Sequence, residues 1–351
     1  MPFSIGKHAI GSGQPFLIAE VAQAHDGSLG LAHSFIDAAA RAGADAVKFQ
    51  THIASAESTL DESFRVKFSR QDGTRYEYWK RMEFSAEEWA ELAKHATDRG
   101  LVFLSSAFSI AAVEILYRIG MPAWKVASGE LTSQAILDAM IKAGGPFLVS
   151  TGMGTWVEID GLAQRLRDAK REFAMLQCTS EYPTSLDHVG LNVIDEMRAR
   201  YAVPVGLSDH SGRTAPTLAA LARGAEIIET HITFDRGMFG PDGPASLTID
   251  EFRAIADFRD ALMEMDSHPV NKDKMAASLE PMRSLFGRSV APSRTLAAGT
   301  VLTADMLVAK KPNTGIPESE LSRLIGRKLL RDVPAERLIT WTDLEPDYGK
   351  A

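Results

Sequence analysis

From Pro15 to about Leu262 the chain alternates two patterns. Short runs of β-branched, aliphatic and aromatic residues give way to longer stretches in which apolar positions recur every three or four residues. The first pattern is that of a buried strand, the second that of an amphipathic helix. Eight runs read as strands: "PFLIAEVA", "ADAVKFQT", "LVFLSSAF", "AWKVASGE", "FLVSTG", "FAMLQCTS", "VPVGLSDH" and "EIIETHIT". Helical stretches such as "LGLAHSFIDAAARAG" and "SAEEWAELAKHATDRG" lie between them. The glycines of "RAGAD" and "DRGLV" fall where helices end, since glycine takes the left-handed backbone of a C-terminal cap without steric cost. Eight βα units in roughly 250 residues predict an α/β protein built on a (β/α)8 TIM barrel. A doubly wound open sheet is the alternative, but eight regular units without an edge-strand signal favour closure.

Past Leu262 the rhythm changes. Residues 266–286 are polar and Met-rich, and read as a linker or extra helices. From Gly287 onward come short strands, Gly and Pro turns and one or two short helices. The expected organisation is a catalytic barrel over residues 1–265, a linker over 266–286 and a small domain over 287–351. A domain of about 60 residues buries a limited core, so it is expected to pack on something.

Composition narrows the function classes. A net charge of −8 argues against a nucleic-acid surface, because phosphate backbones need a basic face. It leaves room for a small anionic substrate, which needs only a local cluster of Lys and Arg. No run is long and apolar enough for a membrane span, and the N-terminal stretch has no signal-peptide core. Cys178 is the one cysteine, which excludes an internal disulfide and fits a reducing cytoplasm. As a small apolar thiol inside a strand, Cys178 is expected to be inert.

In a barrel the strand C-termini build the active site. Collected there are Glu20, His25 and Asp26; Lys48, Gln50 and Thr51; Ser105 and Ser106; Lys125, Ser128 and Glu130; Ser150 and Thr151; Gln177 and Thr179 through Tyr182; Ser208, Asp209 and His210; and Glu229, Thr230 and His231. Three features stand out. Lys48 and Lys125 lie inside apolar strands, where a lone ammonium is costly. They read either as structural ion pairs with Glu20, Glu130 or Glu229, or as a clamp for phosphate or carboxylate. Hydroxyls at Ser106, Ser128, Ser150, Thr151 and Ser208 suit phosphate oxygens, although each alone is more often a strand-end cap. His210 and His231 end consecutive strands. Singly each reads as a satisfied structural histidine; together they could share a divalent metal, Mn²⁺, Fe²⁺ or Zn²⁺ rather than Ca²⁺. Such a site would serve metal-assisted phosphate chemistry or carbon–carbon bond formation.

The strings "LIAEVAQAHDGSL", "AGADAVKFQTH", "FLSSAFS", "AWKVASGE", "VSTGM", "QCTSEYPT", "GLSDHS", "ETHITFD" and "GPDGPASL", in that order, resemble the sialic acid synthases over nearly the whole chain. That family joins phosphoenolpyruvate to an N-acetylmannosamine-type sugar and includes legionaminic and pseudaminic acid synthases. The resemblance implies a TIM barrel followed by an antifreeze-like (SAF, β-clip) domain. It implies a divalent metal on His210 and His231, Mn²⁺ first, with Mg²⁺ or Co²⁺ as alternatives. Glu20 would stand near the reacting aldehyde. Lys48, Lys125, Ser106, Ser150 and Ser208 would anchor phosphoenolpyruvate, with Asp209 beside them in the substrate site, and Gln50 and Tyr182 would line the sugar pocket. It also implies a homodimer in which the small domain is swapped onto the partner's barrel.

Two positions depart from the family pattern. Asn-His in the first loop is here Ala24-His25, and the arginine of an "RPGNG"-like turn is here Lys311 in "KKPNTG". Lysine offers a point charge in place of a planar fork, which bears on the sugar substituent that Lys311 would face. Two other readings stand beside this one. The first is a condensation with a phosphorylated sugar, as in DAHP synthase, which would need a second basic subsite. The second is a non-catalytic sugar-binding barrel.

Overall fold

The computed structural model describes residues 2–346. Met1 and residues 347–351, the last five of the expected small domain, lie outside the described residues. The chain forms two compact units, Met1–Ser267 and His268–Ala351. Among the described residues no helix is long and apolar enough to cross a membrane.

The first unit is a closed barrel of eight parallel strands: β1 (Phe16–Ala22), β2 (Ala46–Thr51), β3 (Val102–Ala107), β4 (Trp124–Val126), β5 (Phe147–Ser150), β6 (Phe173–Cys178), β7 (Val205–Asp209) and β8 (Ile227–Thr233). Closure is direct, because β8 pairs with β7 on one side and β1 on the other, with His231 opposite Glu20. The open-sheet alternative is thereby excluded. Helix α1 (Leu29–Arg41) follows β1, and α2 (Ala86–Asp98) follows β2 after a long segment that carries two short helices, Ala54–Glu57 and Arg75–Met82. The ring continues with α3 (Ile110–Arg118), α4 (Gln134–Ala143), α5 (Trp156–Asp168), α6 (Leu191–Tyr201), α7 (Thr214–Ala222) and α8 (Ile249–Ser267).

Local chemistry sets these limits. Ser85 and Glu88 start α2 with a reciprocal capping box, as Thr155 and Glu158 do for α5, satisfying amides that the first turn leaves free. Gly43 and Gly100, with φ of 82° and 80°, end α1 and α2 as the sequence predicts. In β7 a Cβ on Gly206 would lie 2.0 Å from the Ile227 carbonyl oxygen, so only glycine permits that approach to β8.

Side chains alternate across a strand, so every second residue faces the barrel axis. Along the axis the chemistry changes with height. Phe16, Ile18, Leu104, Leu148, Leu176 and Ile227 form one apolar cluster toward the strand N-termini. The hairpin Phe3–Ile5 with His8–Ile10 adds Phe3, Ile5 and Ile10 to it. One step further along the same strands stand Glu20, Ser106, Ser150 and Glu229, all buried. The intervening set faces the helices, where Phe35, Trp89, Phe103 and Phe252 anchor the main core.

The C-terminal unit opens with two short helices, Lys272–Ser278 and Glu280–Phe286, neither with a buried residue. These occupy most of the stretch read as a linker or extra helices. Ser289–Pro292 then pairs antiparallel with Leu307–Lys310. Val290, Leu302, Ile316, Leu324, Val333 and Ile339 belong to its own core cluster.

The loop after β1 buries His25 against Phe84, with ring centroids 4.8 Å apart. Its Nδ1 accepts from the Gly27 amide at 3.1 Å, which places the ring proton on Nε2. Burial, followed by the charges of His52 and Arg81, pushes this histidine down to about 3. The unfolded chain therefore takes up a proton below about pH 6.5 that the folded chain refuses, and stability falls with falling pH. The expected loss is about 1.4 kcal/mol for each pH unit between about 6.5 and about 3, where the folded chain also takes up the proton. Urea unfolding at pH 7 and pH 5 checks this. His25→Asn, which can still accept from Gly27, should show a smaller drop between the two; equal drops would remove His25 as the cause.

Candidate active site

The polar halves of the strands surround a cavity of about 430 Å³ at the C-terminal mouth of the barrel. Its floor is a buried charge network. Lys48 Nζ lies 2.7 Å from Glu20 Oε2 and 3.7 Å from Glu229 Oε1, and Lys125 Nζ lies 3.4 Å from the same Glu229 oxygen. Hydroxyls complete each ammonium: Lys48 donates to Ser106 Oγ at 3.3 Å and Lys125 to Ser150 Oγ at 2.7 Å. Ser208 Oγ donates to Glu229 at 3.3 Å. The two readings of the lysines are thus not exclusive. Both are ion-paired, with Glu20 and Glu229 rather than Glu130, and both line the cavity.

The network is unevenly charged. Burial pushes Glu20 up to about 7, against the pull of Lys48 and with help from Glu229. Burial also acts on Glu229, but Lys125 and Lys48 together hold it below the usual carboxylate range. Lys48 is held above its ordinary value because Glu20 and Glu229 outweigh burial, whereas burial takes Lys125 below its own. Glu229 is thus the fixed anion between two cations, and Glu20 is the group poised to change its proton.

His210 and His231 face each other across the same cavity with ring centroids 5.2 Å apart. Tyr182 packs on His210 at 4.1 Å. His210 Nδ1 donates to the Thr179 carbonyl at 3.0 Å, leaving Nε2 as its second site. Burial, reinforced by His210 and the lysines, keeps His231 well below the ordinary histidine value. Burial opposes charge on His210 too, yet Cys178, the Thr179 carbonyl and Glu229 lift it to about 9. The two rings thus sit in opposite electrostatic settings, His231 disfavouring and His210 favouring a positive charge. Among the described residues no third His, Cys, Asp or Glu joins them in a group able to hold a metal ion. The pair fits a cation whose remaining ligands are water or substrate oxygens.

Most of the expected site residues converge here. Glu20, Lys48, Gln50, Ser106, Lys125, Ser150, Tyr182, Ser208, His210 and His231 all line the cavity. Asp209 does not. It falls on the helix-facing set of β7, and its Oδ2 accepts from Ser211 Oγ at 2.7 Å. Lys311 belongs to the C-terminal unit, where its ammonium lies 5.2 Å from the Phe286 ring. Cys178 is buried in β6 as expected, but it also borders the cavity with Sγ 3.7 Å from His210 Nδ1. A Cβ at neighbouring Gly152 would lie 2.5 Å from Ser180 Oγ and 2.8 Å from Cys178 Sγ, so a larger residue there would force those side chains to turn.

Other lining residues were not anticipated. His52 stacks on Trp79 and Phe108 and contacts Glu57. It continues the axis-facing series Lys48, Gln50, His52, so strand parity alone could have found it. Arg65 lies 4.3 Å over the Tyr182 ring and 3.0 Å from Asp242. It comes from the long loop after β2, where no periodicity announces which side chains turn inward.

Comparison with known proteins agrees with this architecture. The NeuB family model matches residues 35–268 and the SAF domain model residues 287–345. The N,N'-diacetyllegionaminic acid synthase of Legionella pneumophila is 32% identical over 94% of each chain. Human N-acetylneuraminate-9-phosphate synthase is 32% identical over 98% of this chain and 96% of its own. The crystal structure of N-acetylneuraminic acid synthetase from Leptospira borgpetersenii, solved with citrate, aligns with a TM-score of 0.69 at 28% identity, covering 81% of this chain and 97% of that one. A barrel with this charged floor, followed by an SAF domain and matched end to end by such synthases, belongs to the NeuB family of sialic and related nonulosonic acid synthases.

Proposed function

We propose that this protein condenses phosphoenolpyruvate with an unphosphorylated 2-acetamido sugar of the N-acetylmannosamine class, releasing phosphate. The observation that carries the reading is the convergence of Lys48, Lys125 and three serines with His210 and His231 in one cavity. The lysines and Ser106, Ser150 and Ser208 take the phosphate and carboxylate. Lys48 can exchange its bond to Glu20 for one to the ligand, because Glu20 readily becomes neutral. Glu229 keeps both ammonium groups in place meanwhile. A divalent cation held by His210 and His231, Mn²⁺ by preference, supplies Lewis acidity toward the sugar's carbonyl oxygen. Carbon three of phosphoenolpyruvate attacks the carbonyl carbon. Water adds to carbon two, and phosphate leaves from that carbon. Glu20 orients the aldehyde and holds or releases a proton at its carboxylate.

The acceptor's charge follows from the lining. Among the described residues four Lys and Arg side chains border the cavity, and each has a carboxylate partner. Beyond the lysines, Arg65 is matched by Asp242 at 3.0 Å and Arg75 by Glu62 at 3.1 Å. No unpaired Lys or Arg of the barrel marks a second phosphate subsite among the described residues, so the unphosphorylated acceptor is the simpler reading. The reading places the enzyme in a reducing compartment, the cytoplasm. It also carries the homodimer of the family resemblance, in which the C-terminal unit serves its partner's site. Leu279, Met282, Leu285 and Phe286, all exposed, supply apolar surface for such an association.

Phosphate release from phosphoenolpyruvate is measured with N-acetylmannosamine, a 2,4-diacetamido-6-deoxy relative, mannose and N-acetylmannosamine 6-phosphate. A neutral acetamido sugar is expected to be preferred by about tenfold or more, the discrimination available when a charge lacks its partner. Chelation, His210→Ala or His231→Ala should each abolish turnover, and Mn²⁺ should restore only the chelated native protein. Full activity without metal would remove the Lewis-acid role; no acceptor-dependent release with any sugar would remove the reading itself.

Lys48→Met and Lys125→Met each leave Glu229 short of a partner as well as removing a ligand contact. Each should weaken phosphoenolpyruvate binding by about 2–5 kcal/mol in calorimetric titration. Unchanged affinity in both would return these lysines to a purely structural role.

The partner-site arrangement is tested by mixing two inactive proteins, His210→Ala and Lys311→Ala, under conditions of verified subunit exchange. If the lid acts on the partner, one site of each heterodimer is intact and activity returns. A mixture without recovery, given a severely impaired Lys311→Ala parent, rules that arrangement out.

A further inference from the structure

His52 is held more tightly than packing alone requires. Its ring lies between Trp79, at a centroid distance of 3.9 Å and 15° between planes, and Phe108, at 4.5 Å and 5°. Both ring nitrogens face acceptors. Nδ1 is 2.5 Å from Glu57 Oε1, and Nε2 is 3.3 Å from Gln50 Oε1. Glu57 is itself tied down, its other oxygen accepting from the Ile53 amide at 3.3 Å.

Gln50 connects this group to the cavity floor. Its Nε2 donates to Glu20 Oε1 at 3.1 Å, and its Oε1 accepts from Gln23 Nε2 at 2.8 Å. In its ionised form Glu20 only accepts, so it is the Gln50 amide nitrogen that must face the carboxylate for that bond to exist. Gln23 cannot enforce this. Its own Oε1 is buried without a partner, so the two amides could turn over together and keep a hydrogen bond between them. Glu20 would then meet the Gln50 carbonyl oxygen, a repulsive contact. A donor fixed against Gln50 Oε1 would break the symmetry, and among the described residues His52 Nε2 is the ring nitrogen placed there; it donates when it carries a proton in addition to the one at Nδ1 facing Glu57.

We propose that His52, anchored by Glu57 and clamped between Trp79 and Phe108, is a positioning residue for the condensation. It donates to Gln50, fixes that amide with its NH2 toward Glu20, and so holds the Glu20 carboxylate at the acceptor side of the cavity. The proposal rests on the reading of Glu20 given above. It also assigns protons: Nε2 carries one for Gln50, and a second is shared between Nδ1 and Glu57.

His52→Phe separates this role from packing, because it retains the aromatic stack and donates nothing. The expected result is a fall in kcat of about ten- to a hundredfold, the size of effect that a misplaced catalytic group produces. Phosphoenolpyruvate affinity by calorimetry and the melting temperature should stay at native levels. His52→Gln, whose amide nitrogen can reach toward Gln50, should recover part of the lost rate. Native kcat in His52→Phe overturns the proposal while leaving the condensation reading in place. A native protein that releases no phosphate with any acceptor overturns that reading and the catalytic half of the proposal with it. Nitrogen-detected NMR of the native protein judges the proton assignment even if the variants fail to fold. A protonated Nε2 with a strongly downfield Nδ1 proton supports it, and a bare Nε2 overturns it.

Discussion

The structure depends on a change of polarity halfway up the barrel. Below that level the interior is apolar; above it Glu20, Lys48, Lys125 and Glu229 are closed off from water. Desolvating four ionisable groups costs several kcal/mol each before their mutual attraction offsets it, and hydrophobic residues of similar size would often stabilise as well or better. The network is therefore a poor device for stability alone. What it does well is hold two ammonium groups at fixed positions beside a cavity. Glu229 neutralises the pair only in part, and the strand that carries it, β8, pairs directly with β1 and β7. A ligand with two anionic groups then meets preformed partners and pays little for their reorganisation.

This division was legible in the sequence because strand geometry is simple. Once eight strands are recognised, a period of two identifies Glu20, Lys48, Ser106, Ser150, Ser208 and Glu229 as axis-facing from their neighbours alone. Asp209 shows the cost of ignoring that parity. It is adjacent to Ser208 and His210 in the chain, and for that reason it lies on the other face. The same rule applied two residues past Gln50 would have found His52. Loops obey no such rule. Arg65 and Asp242 meet across the mouth although 177 residues separate them, and nothing local in either segment encodes the encounter. Cys178 is buried in its strand as its surroundings in the sequence predict, but the imidazole that approaches its sulfur comes from the end of the next strand and has no local signal.

Strands and loops accordingly carry different parts of the chemistry. The strand residues supply charges whose positions the barrel holds rigidly, and these suit the ligand part common to a family of condensations. The segment after β2 supplies Phe64 and Arg65 from its loop and Arg75 and Trp79 from the helix Arg75–Met82; these shape the outer cavity and can vary without disturbing the sheet. His52 stands at the junction. It extends the axis-facing series of β2, yet its partners Glu57 and Trp79 lie on the two short helices of the segment that follows. A change in that segment can thus reach Glu20 through two hydrogen bonds, from His52 to Gln50 and from Gln50 to Glu20, without moving a strand. On the proposed reading, acceptor choice and the placement of Glu20 would be coupled through this path, and a segment remodelled for a different sugar would have to keep a donor at His52 or fix the Gln50 orientation by other means.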